Sequence, residues 1–338
     1  MVKKILTLLL AGVLTLTGCS SQTTAPAPAP VEPAQQEAEK AWEPTENVEF
    51  VIPFSAGGGS DVFARKIVEI IQKNNLASVN FVPTNKPGGS GVVGYTYMNG
   101  KGANNYIMGT TSSSFYSQPI LGLSPLSLDK DFTYIAHLAK DPNLFAASKK
   151  VGLSNLEEVI EYAKANPKKL KFGGTANASD DTVLMYMIND LIGIELVYVP
   201  YDSGSEVLAA ILGGHIDLCA ISPSEGGEHL QTGNLVPLAV SADERISILP
   251  EVPTFLESGY EIKHQQSRGV VMNAGVPEEV AKYYSDLFKK VSETPEWKEF
   301  LESNVMGNQF MGYDEYEKFS NDLSGKYKTY MELIQNAQ

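Results

Sequence analysis

From Val48 onward, short β-rich apolar segments alternate with amphipathic helical runs, and that alternation leaves few architectures open. The strand-like "VEFVIPF" precedes a run with Val62, Phe63, Ala64, Ile67, Val68, Ile70 and Ile71 at helical spacing. "SVNFVPT", "NYIMGT", "LKFGGT", "IELVYVPY", "HIDLCAIS" and "LVPLAVS" read as further strands. Ser154-Asn155-Leu156-Glu157 and Ser203-Gly204-Ser205-Glu206 are capping-box patterns that open helices, which stop near Asn166-Pro167 and at Gly213-Gly214. The tail from Val276 reads as helical, with Pro277 and Pro295 in first turns. Such alternation packs as an α/β fold with largely parallel sheets. About 290 residues of it suggest two lobes rather than one.

The N-terminus speaks to location. Lys3 and Lys4 precede an apolar stretch at 5–16 that is too short for a mature membrane span. It ends in Leu16-Thr17-Gly18-Cys19, which is similar to the bacterial lipoprotein box, in which the cysteine is lipidated and becomes the new N-terminus. Residues 1–18 are therefore expected to be a signal peptide, and Cys19 a lipid anchor on the cell membrane. Cleavage removes two lysines and no acid, so the formal charge of −14 becomes −14 − 2 = −16. Residues 19–45 are rich in Ala, Pro, Gln and Glu and read as a disordered, semi-extended tether. With Cys19 lipidated, no intramolecular disulfide is expected, and Cys219 within "IDLCAI" reads as a small buried core residue.

In α/β sheets ligands sit beyond the carboxyl ends of the strands. The candidate loops follow Phe54, Pro83, Gly109, Phe172 and Pro200. They are rich in Gly, Ser, Thr and Asn and poor in catalytic groups. "GGGSD" lacks the lysine of a nucleotide-phosphate loop. Gly89-Ser90-Gly91-Val92-Val93-Gly94 matches G-x-G-x-x-G, but residues 70–128 contain no Asp or Glu to hold a ribose. There is no G-x-S-x-G, and His137, His215, His229 and His264 form no metal-type pair. Asp180 and Asp181 are adjacent and expected to point apart, with Ser179 or Asp180 capping a helix. No catalytic residue, cofactor, metal or nucleic acid is expected.

The acid-free window at 70–128 carries Lys73, Lys86 and Lys101, so an anion can approach with little local repulsion. Arginine is limited to Arg65, Arg245 and Arg268. An anion site must then rely on backbone N–H groups, hydroxyls and helix N-termini. Arg65 reads as an i,i+4 partner of Asp61. Thr110, Thr111 and Ser112 follow a strand at such a position, and Arg268 stands where it can reach a cleft.

Four ordered blocks, "VIPFSAGGGSDVFAR", "NKPGGSGVVG", "VPYDSGSEVLAAILGGHID" and "LAVSADERISILPEVPTFLESGY", resemble the substrate-binding proteins of tripartite tricarboxylate transporters over residues 46–338. The resemblance implies a two-lobed, Venus-flytrap periplasmic-binding fold of type II. One lobe would comprise 46–143 plus 250–338 and the other 144–243, with a hinge region at 244–249. It also implies that two first-lobe loops grip a carboxylate: Phe54, Ser55, Ala56, Gly57, Gly58, Gly59, Ser60 and Asp61 in one, and Gly88, Gly89 and Ser90 within 87–91 in the other. The second lobe would contribute residues within 175–182, including Thr175, Ser179 and Asp181, together with Tyr201 and Ser203. Many members carry a histidine where this chain has Asp181-Thr182. Asp181 then either meets a polar or cationic part of the ligand or caps the helix. The implied function is an extracytoplasmic, monomeric solute-binding lipoprotein. It would deliver a small carboxylate to large and small integral membrane subunits of a transporter. Delivery to a sensor kinase, or a secreted enzyme, are the alternatives.

Overall fold

The computed structural model describes residues 41–175, 179–201 and 204–337. In chain order the first lobe contains β1 (Val48–Ile52), α1 (Gly59–Lys73), β2 (Phe81–Asn85), α2 (Val92–Asn99), β3 (Ile107–Thr110), α3 (Ser113–Ile120) and β4 (Phe132–Pro142). The second contains β5 (Leu144–Ser148), α4 (Leu156–Ala165), β6 (Lys171–Thr175), α5 (Asp180–Ile192), β7 (Val197–Tyr201), α6 (Gly204–Gly213), β8 (Leu218–Ile221), α7 (Pro223–Gln231) and β9 (Leu235–Val240). The chain then returns through β10 (Gln265–Asn273), α8 (Glu278–Glu293), α9 (Pro295–Ser303), β11 (Gly307–Met311) and α10 (Tyr313–Ala337).

Two sheets result, ordered β11-β4-β10-β3-β1-β2 and β7-β6-β8-β5-β9. Strands β1, β2 and β3 run parallel, as do β6, β7 and β8, which is the α/β arrangement expected of the alternation. The crossing strands are antiparallel to them: Val270 of β10 pairs with Thr110, and Leu144 of β5 pairs with Ile221. Both sets of parallel strands therefore end on the side where the chain passes between the sheets. Their loops converge there.

Strand β1 is apolar but for Glu49, which is half-buried and accepts from Tyr97 Oη at 3.1 Å. Val48, Phe50 and Ile52 point to one side, where Phe63 and Ile67 of α1, Phe288 of α8 and Trp297 of α9 cover them. Val51 points to the other, where Tyr95, Met98, Tyr116 and Tyr316 lie. A strand covered on both faces is apolar over most of its length. The second cluster continues into the other lobe through Phe145, Phe172, Leu184 and Ile188. A third, around Ile211, Ile216 and Leu249, contains Cys219, whose thiol is fully buried.

The chain changes sheet at Asn143 and again between Val240 and Gln265. Ser241 Oγ lies 2.9 Å from Asn143 O, and the Ser241 amide donates to the same oxygen at 3.0 Å. Residues 244–249 belong to the connection after β9, where Ile246 and Leu249 pack with Leu144 and Val240.

Two local expectations shift. Helix α4 is capped by Asn155 rather than Ser154: Asn155 Oδ1 accepts from the Glu158 amide at 2.9 Å, and Glu158 accepts from the Ser154 amide at 2.7 Å. The helical tail is interrupted by β11, which pairs with β4. The expected capping residue Ser203, the lipid-anchor residue Cys19 and the signal segment lie outside the described residues. Among the described residues no helix is long and apolar enough to cross a membrane.

Candidate functional site

The first glycine-rich loop runs from the end of β1 to the start of α1. Residues 55–59 are exposed, whereas Ser60 and Asp61 are buried. Asp61 organises the turn. Its Oδ2 accepts from the Gly57 amide at 2.9 Å, and its Oδ1 accepts from Arg65 Nε and Asn85 Nδ2, each at 2.9 Å. Asn85 Nδ2 also reaches Phe54 O at 3.0 Å, tying the loop to the end of β2. Burial opposes the Asp61 charge, but the bonds from Arg65, Gly57 and Asn85 outweigh it and hold the carboxyl below its usual range. Gly57 sits at φ +82°, a left-handed conformation that favours glycine.

The amides of Gly59 and Ser60 open a 15-residue helix and find no acceptor among the described residues. They are unpaired donors at the positive end of a helix dipole. The second loop lies beside them. Gly88, Gly89 and Ser90 are exposed, and 89–91 form a 3-10 turn whose Gly89 and Ser90 amides are likewise without acceptors. The loops meet because Gly94 has no side chain: a Cβ there would fall 2.7 Å from Pro53 Cα.

Arg268, expected to reach a cleft, has its guanidinium against the start of α1. It is buried in β10, with Nε 3.1 Å and Nη2 2.5 Å from Asp141 Oδ2. Nη2 also lies 3.1 Å from where a Cβ on Gly59 would stand. A paired guanidinium thus backs the start of α1, and Asp141 is a partner that sequence reasoning missed. Thr111 is turned inward: its hydroxyl accepts from the Gly269 amide at 3.0 Å and lies 2.8 Å from Tyr316 Oη. Thr110 is buried, with no partner for its hydroxyl among the described residues, and Ser112 holds the N-cap position of α3 without a side-chain cap bond, its hydroxyl 3.0 Å from Ser114 Oγ.

In the second lobe Thr175 and Asp181 form one unit. Asp181 Oδ2 accepts from the Thr175 amide and from Thr175 Oγ1, both at 2.8 Å. Burial raises the Asp181 carboxyl to about 6; the Thr175 bonds oppose this, while Asp180 and Glu225 add to it. Ser179 is the N-cap of α5, and Asp180 points elsewhere, as expected of adjacent residues. Tyr201 ends β7, half-buried, beside the third apolar cluster.

A groove of about 380 Å³ lies away from these loops, lined by Lys140, Asp243, Arg245, Glu302 and Asn308 among others. Among the described residues it presents no helix N-terminus, and its cations are paired: Lys140 with Asp243 of the groove at 3.5 Å, and Arg245 with Glu257 beyond its lining at 2.8 Å. No group of acids, histidines and cysteines suited to a metal occurs among the described residues.

Two α/β lobes, joined by crossing strands and presenting loops at a shared side, define the two-lobed periplasmic-binding class. The sequence profile described as "Tripartite tricarboxylate transporter family receptor" matches residues 63–336, and the chain belongs to that family of solute receptors. It is 27% identical over 302 residues to the "UPF0065 protein in gbd 5'region" of Cupriavidus necator, covering 89% of this chain and 91% of that one. A TctC solute-binding protein from Polaromonas aligns at 25% identity with a TM-score of 0.74, covering 86% of this chain and 99% of the other. A Rhodopseudomonas palustris protein solved with adipate shares the fold at 21% identity and a TM-score of 0.75, over 86% of this chain and 98% of its own. MatC from the same organism, solved with malate, aligns at 19% identity with a TM-score of 0.67, over 86% and 99%.

Proposed function

We propose that this protein is an extracytoplasmic, lipid-anchored receptor that captures a small carboxylate for a tripartite tricarboxylate-type membrane transporter. The observation that carries the reading is the pair of exposed first-lobe loops. Four amides without acceptors among the described residues, those of Gly59, Ser60, Gly89 and Ser90, lie on the two loops and offer the donors that a carboxylate needs. Asp61 fixes one loop from behind, so the donors are set in place before any ligand arrives. Thr175, Ser179, Asp181 and Tyr201 stand at or beside the second lobe's strand ends and supply the opposing surface. The proposed hinge includes Asn143 and Ser241, the latter just before the 244–249 segment, and their mutual hydrogen bonds support this reading.

Relatives of this fold that hold adipate and malate support the carboxylate class. The Leu16-Thr17-Gly18-Cys19 sequence supports the anchor. The mechanism is a population shift: the ligand binds the first-lobe donors, second-lobe contacts favour closure, and the membrane subunits recognise the closed form. No bond is made or broken in this cycle, and the receptor is not an enzyme. Native mass spectrometry of the protein purified from its own host tests the reading. A retained mass that fits a small organic acid is expected; a retained cation or sugar in its place would contradict it.

A further inference from the structure

The two carboxylates that open α5 face different neighbours. Asp181 turns to Thr175, whereas Asp180 is buried and accepts a hydrogen bond from Tyr327 Oη of α10. His264 Nε2 lies 2.8 Å from the same Asp180 oxygen, off the line of a straight hydrogen bond. Tyr327 is held by the first lobe: it stacks on Tyr116 of α3, with centroids 5.7 Å apart and planes at 20°. Burial and the Asp180 charge push the Tyr327 phenol well above its ordinary range, so it stays a donor. His264 is tied to the crossing through its backbone. Its amide donates to Ser241 O at 3.1 Å, and its carbonyl lies 2.5 Å from Ser241 Oγ. One buried second-lobe carboxylate is thus held from a first-lobe helix and from the point where the chain changes lobes.

We propose that Tyr327, Asp180 and His264 form a latch that favours the open arrangement of the lobes. Both glycine loops are exposed in this structure, so the space they face is open while the latch is made. Helix α10 packs on β4 and α3 of the first lobe and also on α5 of the second. Rotation about Asn143 and Ser241 carries the start of α5 past α10, and a hydrogen bond does not survive a slide of more than about 1 Å. The bond is charge-assisted and buried, so its loss on closure is felt. Asp180 also precedes Asp181 directly, so contact at the Asp181–Thr175 unit moves the first turn of α5 and strains the latch. Tyr327, Asp180 and His264 act as positioning residues and touch no ligand.

The consequence for affinity rests on the carboxylate reading; the consequence for shape does not. Tyr327→Phe keeps the ring stack and removes the donor. In small-angle X-ray scattering without added ligand, the variant is expected to have a smaller radius of gyration than the wild type. Its Kd for any carboxylate that the wild type binds is expected to fall roughly tenfold, as for the loss of one buried charged hydrogen bond from the competing state. Asp180→Asn, which keeps an acceptor oxygen but no charge, is expected to move both quantities the same way and less, and serves if Tyr327→Phe does not fold. Unchanged or larger dimensions, or binding that is unchanged or weaker, overturn the latch. A purely structural role predicts only that weakening. If the wild type binds no carboxylate, scattering alone decides the latch, and the failure falls on the ligand reading.

Discussion

Gly58 has an extended backbone, φ −76° and ψ 168°, which any residue adopts, and a Cβ there would meet only Ser55 O at 3.4 Å. Gly58→Val is therefore expected to leave the far-UV circular dichroism unchanged. It crowds the approach to the Gly59 and Ser60 amides, so Kd for the carboxylate should rise at least about tenfold, or about 1.4 kcal/mol, in calorimetry. Unchanged affinity would place the ligand elsewhere. At this scale the sequence was legible where partners are close in the chain. The Asp61–Arg65 pair forms at 2.9 Å, as its i,i+4 spacing required. Asn85, which completes the Asp61 site, and Asp141, which occupies Arg268, come from other strands. Only strand order brings them near, and no local pattern encodes that.

The first turn of α5 sets the pH behaviour of the second lobe. The Asp181 carboxyl is raised from 3.8 to about 6, with burial as the first cause. The folded form then holds this proton more tightly than the unfolded chain does. The resulting stabilisation is complete below about pH 4 and is lost as pH rises through about 6. Asp181→Asn is expected to flatten this component of a urea-unfolding series taken between those limits. Above pH 6 the ionised carboxylate also repels an anionic ligand. Dicarboxylate affinity in the wild type is expected to increase several-fold from pH 7.5 to 5.5 and to be flat in Asp181→Asn; an identical profile in both would mean that Asp181 only orders Thr175. Elements with strong signals were legible, including the helix behind the glycine loop and the Ser179 cap. "GNQFM" of β11 has no apolar alternation, because it is an edge strand whose pairing with β4 supplies its structure. The α4 cap falls one residue later than the S-x-x-E pattern suggests, because Asn155 offers the better-placed acceptor.

At the level of the whole molecule, the two lobes share a covalent and hydrogen-bonded crossing. Ser241 Oγ lies within bonding distance of both Asn143 O and His264 O, and it accepts from the Asn143 amide at 3.3 Å. Ser241→Ala leaves buried backbone groups short of a partner and is expected to lower the unfolding free energy by about 1–3 kcal/mol in urea titration; a change within experimental error would mean that water replaces the hydroxyl. The α/β class follows from the alternation of segments, and family membership from four ordered motifs. The order of strands within each sheet does not, since β10 enters between β4 and β3 after the whole second lobe has been made. The central claim is that donor-rich loops on an acidic receptor hold a carboxylate. Isothermal titration calorimetry of the purified protein against a panel of di- and tricarboxylates tests it most directly. Saturable one-to-one heat with at least one of them, lost in Gly58→Val, is the predicted result. No heat and no thermal shift with any carboxylate would contradict the account.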